Sequence, residues 1–103
     1  ELVIQEYLKW IKDNTVVKSI EGKDICSIST PFLDRHNDHL NIYLVKQKEN
    51  FVLTDNGYTI NDLKMSGMDI NTPKRENILK TSLNGFGVKI NQNDELFVIA
   101  NKS

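Results

Sequence analysis

Along the first segment, apolar side chains return at three- and four-residue intervals, at Ile4, Tyr7, Leu8 and Ile11. That spacing puts them on one face of a helix and predicts a helix over residues 2–13. Trp10 falls outside the stripe. A second apolar face is either more core or a contact surface for further parts of the protein.

The period then changes. Val16, Val17 and Ile20 lead into a Glu21-Gly22-Lys23-Asp24 turn and on to Ile25–Ser29, which predicts a hairpin of two short strands. Thr30-Pro31 is expected to interrupt sheet pairing, because proline lacks a donor and fixes φ, leaving Phe32 and Leu33 beyond a bend or on an edge. From His39 to Gln47, Leu40, Ile42 and Leu44 alternate with Asn41, Tyr43 and Val45, the period-two pattern of a strand. A polar turn over Lys46–Asn50 returns the chain as Phe51–Asp55. Setting Val45 opposite Phe51 puts Asn41 opposite Asp55 and brings residues 34–39 close to the Asp55-Asn56-Gly57 turn.

Thr59 with Asp62 three residues later has the form of a capping box, opening a short helix from Ile60 to about Ser66 that Gly67 closes. Met68 and Ile70 are then expected to fold onto the core. Thr72-Pro73 opens a helix over residues 73–84, with Ile78, Leu79 and Leu83 as its buried stripe and Gly85 at its end. Val88–Ile90, a polar Asn91–Asp94 turn and Glu95–Asn101 form a last hairpin. The order is αββββααββ. Strands and helices are grouped rather than alternating, which predicts an α+β fold, an antiparallel sheet of hairpins with about three helices on one face.

With 103 residues, 39% of them apolar, the chain suits one domain with a modest core. It begins at Glu1 inside a helical pattern, so it reads as a fragment of a longer protein. The apolar residues form short clusters, none of membrane length. Thirteen basic against fourteen acidic residues leave a net charge of −1. No overall field draws the molecule to nucleic acid or an anionic membrane, and any such contact has to be local. A single cysteine, Cys26, excludes an internal disulfide and CxxC zinc sites. With no secretory leader in view, the expected location is cytoplasmic.

The densest polar cluster is Asp34-Arg35-His36-Asn37-Asp38-His39, which holds both histidines. With Asp55 and Tyr58 it gathers at one end of the sheet. Three readings stay open. Asp34, Asp38 and Asp55 with a histidine supply hard ligands for a divalent metal; Asp and Asn side chains bond their own backbone in turns; or the cluster recognises a partner. A nuclease of the Asp…Glu-x-Lys type is weakened, because no such triplet follows Asp38 or Asp55 within a strand. Lys74 and Arg75, in the first turn of the third helix, form a candidate anion site or a solvated face. Cys26 alternates on a strand without a neighbouring histidine and reads as a small packed side chain. Gly85-Phe86-Gly87 follows a helix, so it is a cap and turn rather than a phosphate loop. No cofactor motif is present.

Three strings together, Thr30-Pro31-Phe32-Leu33-Asp34-Arg35-His36-Asn37-Asp38-His39, Leu53-Thr54-Asp55-Asn56-Gly57-Tyr58-Thr59-Ile60-Asn61-Asp62-Leu63 and Leu83-Asn84-Gly85-Phe86-Gly87-Val88, resemble the N-terminal domain of an uncharacterised bacterial family, domain-of-unknown-function family 1828. The resemblance implies occurrence in Firmicutes and their prophages, and a second, nuclease-like domain downstream. It supplies no activity and no catalytic residues. The expectation is a non-enzymatic binding or regulatory module whose partner is another protein or its own C-terminal domain. The alternatives are a metal-dependent hydrolase of nucleic acid, with His36 or His39 as base, and a structural domain that packs on a missing segment through Trp10.

Overall fold

The computed structural model describes residues 1–101. Its elements are α1 (Leu2–Asp13), β1 (Val16–Ser19), β2 (Ile25–Leu33), β3 (His39–Lys46), β4 (Asn50–Thr54), α2 (Tyr58–Met65), α3 (Pro73–Asn84), β5 (Lys89–Ile90) and β6 (Leu96–Asn101). The predicted order therefore stands. The strands form one antiparallel sheet in the order β1-β2-β3-β4-β6-β5. Four strands meander, the chain passes through α2 and α3, and the last hairpin adds β6 beside β4.

Pro31 interrupts the pairing, as expected, without ending β2: the strand runs on to Leu33 past the end of β1, and its register against β3 shifts, Ser29 pairing with Asn41 but Leu33 with His39. The proline lies in this bulge, where no ladder donor is required of it. Thr30 fills in locally: its hydroxyl donates to the Leu40 carbonyl at 2.8 Å and accepts from the Phe32 amide at 3.3 Å.

The β3–β4 register differs by one residue from the expected one. Val45 pairs with Val52, Lys46 with Phe51 and Tyr43 with Thr54. The cause is a tighter turn, closed by the Gln47 amide donating to the Asn50 carbonyl at 2.8 Å. A one-residue slip moves every side chain to the other face, so Asn41 is not set opposite Asp55. Asp55 lies past the β3–β4 ladder, and its amide donates to the Leu96 carbonyl at 3.2 Å.

Helix α2 starts earlier than its capping-box pattern suggests. Gly57 occupies the N-cap, and neither Thr59 nor Asp62 caps the helix. Asp55 serves that end instead, its Oδ2 accepting from the Thr59 amide at 2.9 Å. The other end is as expected. Gly67 takes φ +94°, its amide donates to the Lys64 carbonyl at 3.0 Å, and the Met68 amide donates to that of Leu63 at 3.1 Å. This is a Schellman closure, which needs a residue tolerant of positive φ. Ile70 then folds inward, while Met68 stays exposed.

At the start of α3, the Thr72 hydroxyl accepts from the Arg75 amide at 3.3 Å, with Pro73 in the first turn. Its predicted stripe is only partly covered. Leu79 and Leu83 are half-buried, whereas Ile78 is 55% exposed. Among the described residues, α3 approaches the two-residue β5 and no other strand as extensively, too short a surface to cover the stripe. Gly85 remains helical at φ −61°, and positive φ falls on Gly87 at +71°, where the Schellman pattern recurs.

The covered core is small. Ile60 is fully buried and Ile70 nearly so, and α1 has no buried residue. Trp10 is 46% exposed rather than core, with its ring centroid 6.3 Å from Tyr7 in a stacked arrangement and 6.2 Å from Phe32 edge-on. Among the described residues, no helix is long and apolar enough to cross a membrane.

Candidate functional site

The β2 bulge and the turn after it aim residues 34–38 toward the start of α2. The turn is self-bonded. Asp34 Oδ1 accepts from the amides of His36 at 2.8 Å and Asp38 at 3.0 Å, and the Asp34 amide donates to the Asp38 carbonyl at 2.8 Å. Asn37 supplies the positive φ at +63°, a conformation asparagine tolerates.

The other Asp34 oxygen reaches across to α2, accepting from the Tyr58 hydroxyl at 2.6 Å. This bond lowers the carboxyl pKa of Asp34, against an opposing desolvation effect, with the Asp38 and His36 amides adding to the lowering. In return it pushes the Tyr58 phenol up to about 12. A second link lies alongside. Arg35 donates to Asp62 through Nε at 2.8 Å and Nη2 at 3.1 Å, and His36 Nε2 lies 2.9 Å from Asp62 Oδ1. A carboxylate oxygen accepts, so His36 carries its proton on Nε2 here. Arg35 first and His36 second hold Asp62 down at about 2, and Asp62 raises the pKa of Arg35. Planar, two-pronged contact of this kind fixes orientation as well as charge.

Between the turn and α2 lies an open groove of about 950 Å³. Asp34, Asp38, His39, Asn41, Asp55, Tyr58 and Asn61 give it a polar lining, and Phe32, Leu40 and Ile42 an apolar one. His39 Nδ1 lies 2.8 Å from the Thr30 carbonyl. A carbonyl cannot donate, so the proton is on Nδ1 and the neutral ring keeps its lone pair on Nε2. The Asp38 side chain makes no hydrogen bond among the described residues.

The candidate cluster therefore divides. Asp34, Arg35, His36 and Tyr58 form one connected network, Asp38 and His39 line the groove, and Asp55 belongs mainly to the scaffold. Asp55 Oδ1 accepts from the amides of Gly57 at 2.9 Å and Leu96 at 3.0 Å, while Oδ2 holds Thr59. Sequence reasoning missed the part played by Asp62 and read it as a helix cap; its partners are too far away along the chain for local spacing to reveal. Among the described residues, no group of three or more His, Cys, Asp and Glu is placed to hold a metal ion.

Lys74 and Arg75 do not line the groove. Arg75 Nη1 donates to the Asp69 carbonyl at 2.6 Å, bracing the loop before α3. Cys26 is half-buried on β2, with its sulfur 4.0 Å from the Ser19 hydroxyl.

No curated protein and no solved structure matches the chain. A family model does match, over residues 30–103, a span that contains Pro31, the turn, α2 and all of the groove lining but Ser29. The chain belongs to the family described as Domain of unknown function DUF1828.

Proposed function

We propose that the chain is a non-enzymatic binding module that takes a basic segment of a protein partner into the groove beside Asp38 and Tyr58. The observation that carries this reading is the groove's combination of charge and rigidity. Asp34, Asp38 and Asp55 line it without any lysine or arginine, beside Phe32, Leu40 and Ile42. The one nearby guanidinium, Arg35, is engaged on Asp62. The rim is held in place before any ligand arrives, which lowers the ordering cost of binding. Apolar area supplies affinity, and the carboxylates favour a cationic segment over an anionic one.

The partner is another protein or a further domain of the same longer protein. A role in phage and host conflict is what the family resemblance would imply, and it rests on that resemblance alone. Hydrolysis of nucleic acid has less support, because the carboxylates do not converge as a metal site and the lining would repel a phosphate backbone.

An NMR titration with a hexalysine peptide tests the reading. Shifts are expected at residues 34–39 and 56–61, and Asp38→Asn should weaken binding several-fold. Shifts scattered over the surface and indifferent to Asp38→Asn would count against the groove.

A further inference from the structure

We infer that the chain pairs with a second copy of itself, each copy laying α1 across the bare β1–β3 half of the other's sheet. The first observation is area. The chain exposes 8215 Å². A folded monomer of 11.8 kDa exposes about 5,900 Å², so about 2,300 Å² is in excess. A standard interface covers about 800 Å² per partner and obligate dimers cover more. The excess is of the size that an extensive homodimer contact removes from water.

The second observation is where the uncovered apolar surface lies. Val17, Ile28 and Ile42 form a cross-strand row through β1, β2 and β3, and antiparallel partners share a face of the sheet. Leu40 continues that face along β3. Val17 is 61% exposed, and Leu40 and Ile42 are also exposed. The remaining helices are engaged elsewhere: α3 approaches β5, and α2 is tied to the β5–β6 turn by Lys64 on Asp94 at 2.6 Å. The β1–β3 half has no helix of comparable contact among the described residues.

The complementary piece is on the same chain. Ile4, Tyr7 and Leu8 make an exposed stripe on α1, with Trp10 beside it. The Trp10 ring meets Phe32 of β2 edge-on, but among the described residues α1 makes no extensive contact with any strand. One chain thus offers both a helix stripe and an open sheet face, and a two-fold pair satisfies both at once, as isologous contacts require. A foreign partner would have to supply both surfaces. A net charge of −1 sets up little repulsion between copies. Pairing edge to edge through β1 is disfavoured, because that strand is short and carries Lys18 at its centre.

Sedimentation equilibrium of the chain at micromolar concentration tests this. The expected mass is twice 11.8 kDa. Leu8→Lys and, separately, Val17→Lys should each raise the dissociation constant at least tenfold with an unchanged circular dichroism spectrum. If Leu8→Lys loses structure, Val17→Lys on the already exposed strand decides. A monomer at 100 µM, or a dimer insensitive to Val17→Lys, overturns the inference, as does a longer chain that is monomeric because its own additional segment covers this face. Neither Leu8 nor Val17 lines the groove, but Leu40 and Ile42 belong to both surfaces, so pairing and hexalysine binding compete: both variants should bind hexalysine at least as tightly as the parent chain, and failure of one reading leaves the other measurable.

Discussion

The hydroxyl of Tyr58 donates to Asp34 across 2.6 Å, joining the turn after β2 to the first turn of α2. The bond needs a neutral phenol and an ionised carboxylate, so it favours that pair of charge states over every other. Tyr58 should titrate at about 12 rather than near 10. Its raised pKa means that the associated stability is complete below pH 10 and is lost as pH rises through about 12. Carbon-13 labelling of the tyrosine rings would follow this residue directly. In Asp34→Asn the titration should return toward 10, and an unmoved midpoint would show that the bond does not form in solution.

Asp62 gives a prediction at the opposite end of the pH scale. Arg35 and His36 depress its pKa from 3.8 to about 2. A depressed carboxylate contributes stability that is present above its unfolded value and lost as pH falls through the folded one. The acid limb of the melting curve between pH 3.8 and about 2 should therefore be shallower in Asp62→Asn. Both residues of the ion pair keep contact with water, at 55% exposure for Arg35 and 20% for Asp62, so salt should weaken the effect. Equal acid limbs in the two proteins would remove Asp62 from the account.

Asp55 and Asp38 lie near one another yet should respond differently to alanine. Asp55→Ala removes the acceptors for the amides of Gly57, Thr59 and Leu96 and should cost about 2 kcal/mol of stability. Asp38→Ala, whose side chain holds no such partners, should stay within about 0.5 kcal/mol. Urea denaturation would measure both. Comparable losses would mean that Asp38 is also part of the scaffold.

Millimolar Mg²⁺ or Mn²⁺ should give no saturable heat in calorimetry. Both oxygens of Asp34 and both of Asp55 already accept hydrogen bonds, which leaves Asp38 without a second free carboxylate beside it. Saturable binding that Asp38→Ala abolishes would restore the hydrolase reading.

Local signals in the sequence were reliable wherever a few neighbouring residues decide the outcome. Thr72-Pro73 marks the start of α3, the alternation from Leu40 to Val45 marks β3, and Gly67 marks the end of α2. Features set by distant partners were not legible. Asp62 has the spacing of a helix cap, but Arg35, 27 positions away, draws it into another role. The β3–β4 register rests on one hydrogen bond inside a turn, from Gln47 to Asn50, and composition does not distinguish the two turn lengths. Ile78 has the period of a core residue, yet burial requires something to pack against, and β5 is too short to provide it. The polar cluster could be located because it is dense in sequence. Its division into scaffold, network and groove lining could not, since it depends on which oxygen faces which amide.

Pro31 has a consequence for how the sheet behaves in a crowded solution. β2 pairs with β1 only through Cys26–Ser29, so from Thr30 to Leu33 it extends past its shorter neighbour. A bare stretch of extended backbone is a template on which unrelated strands aggregate. Proline removes a donor from that stretch, and the bulge breaks the regular spacing an incoming strand would need. The residue expected to interrupt pairing does so without ending the strand, and it guards the strand's edge against fibril-like growth.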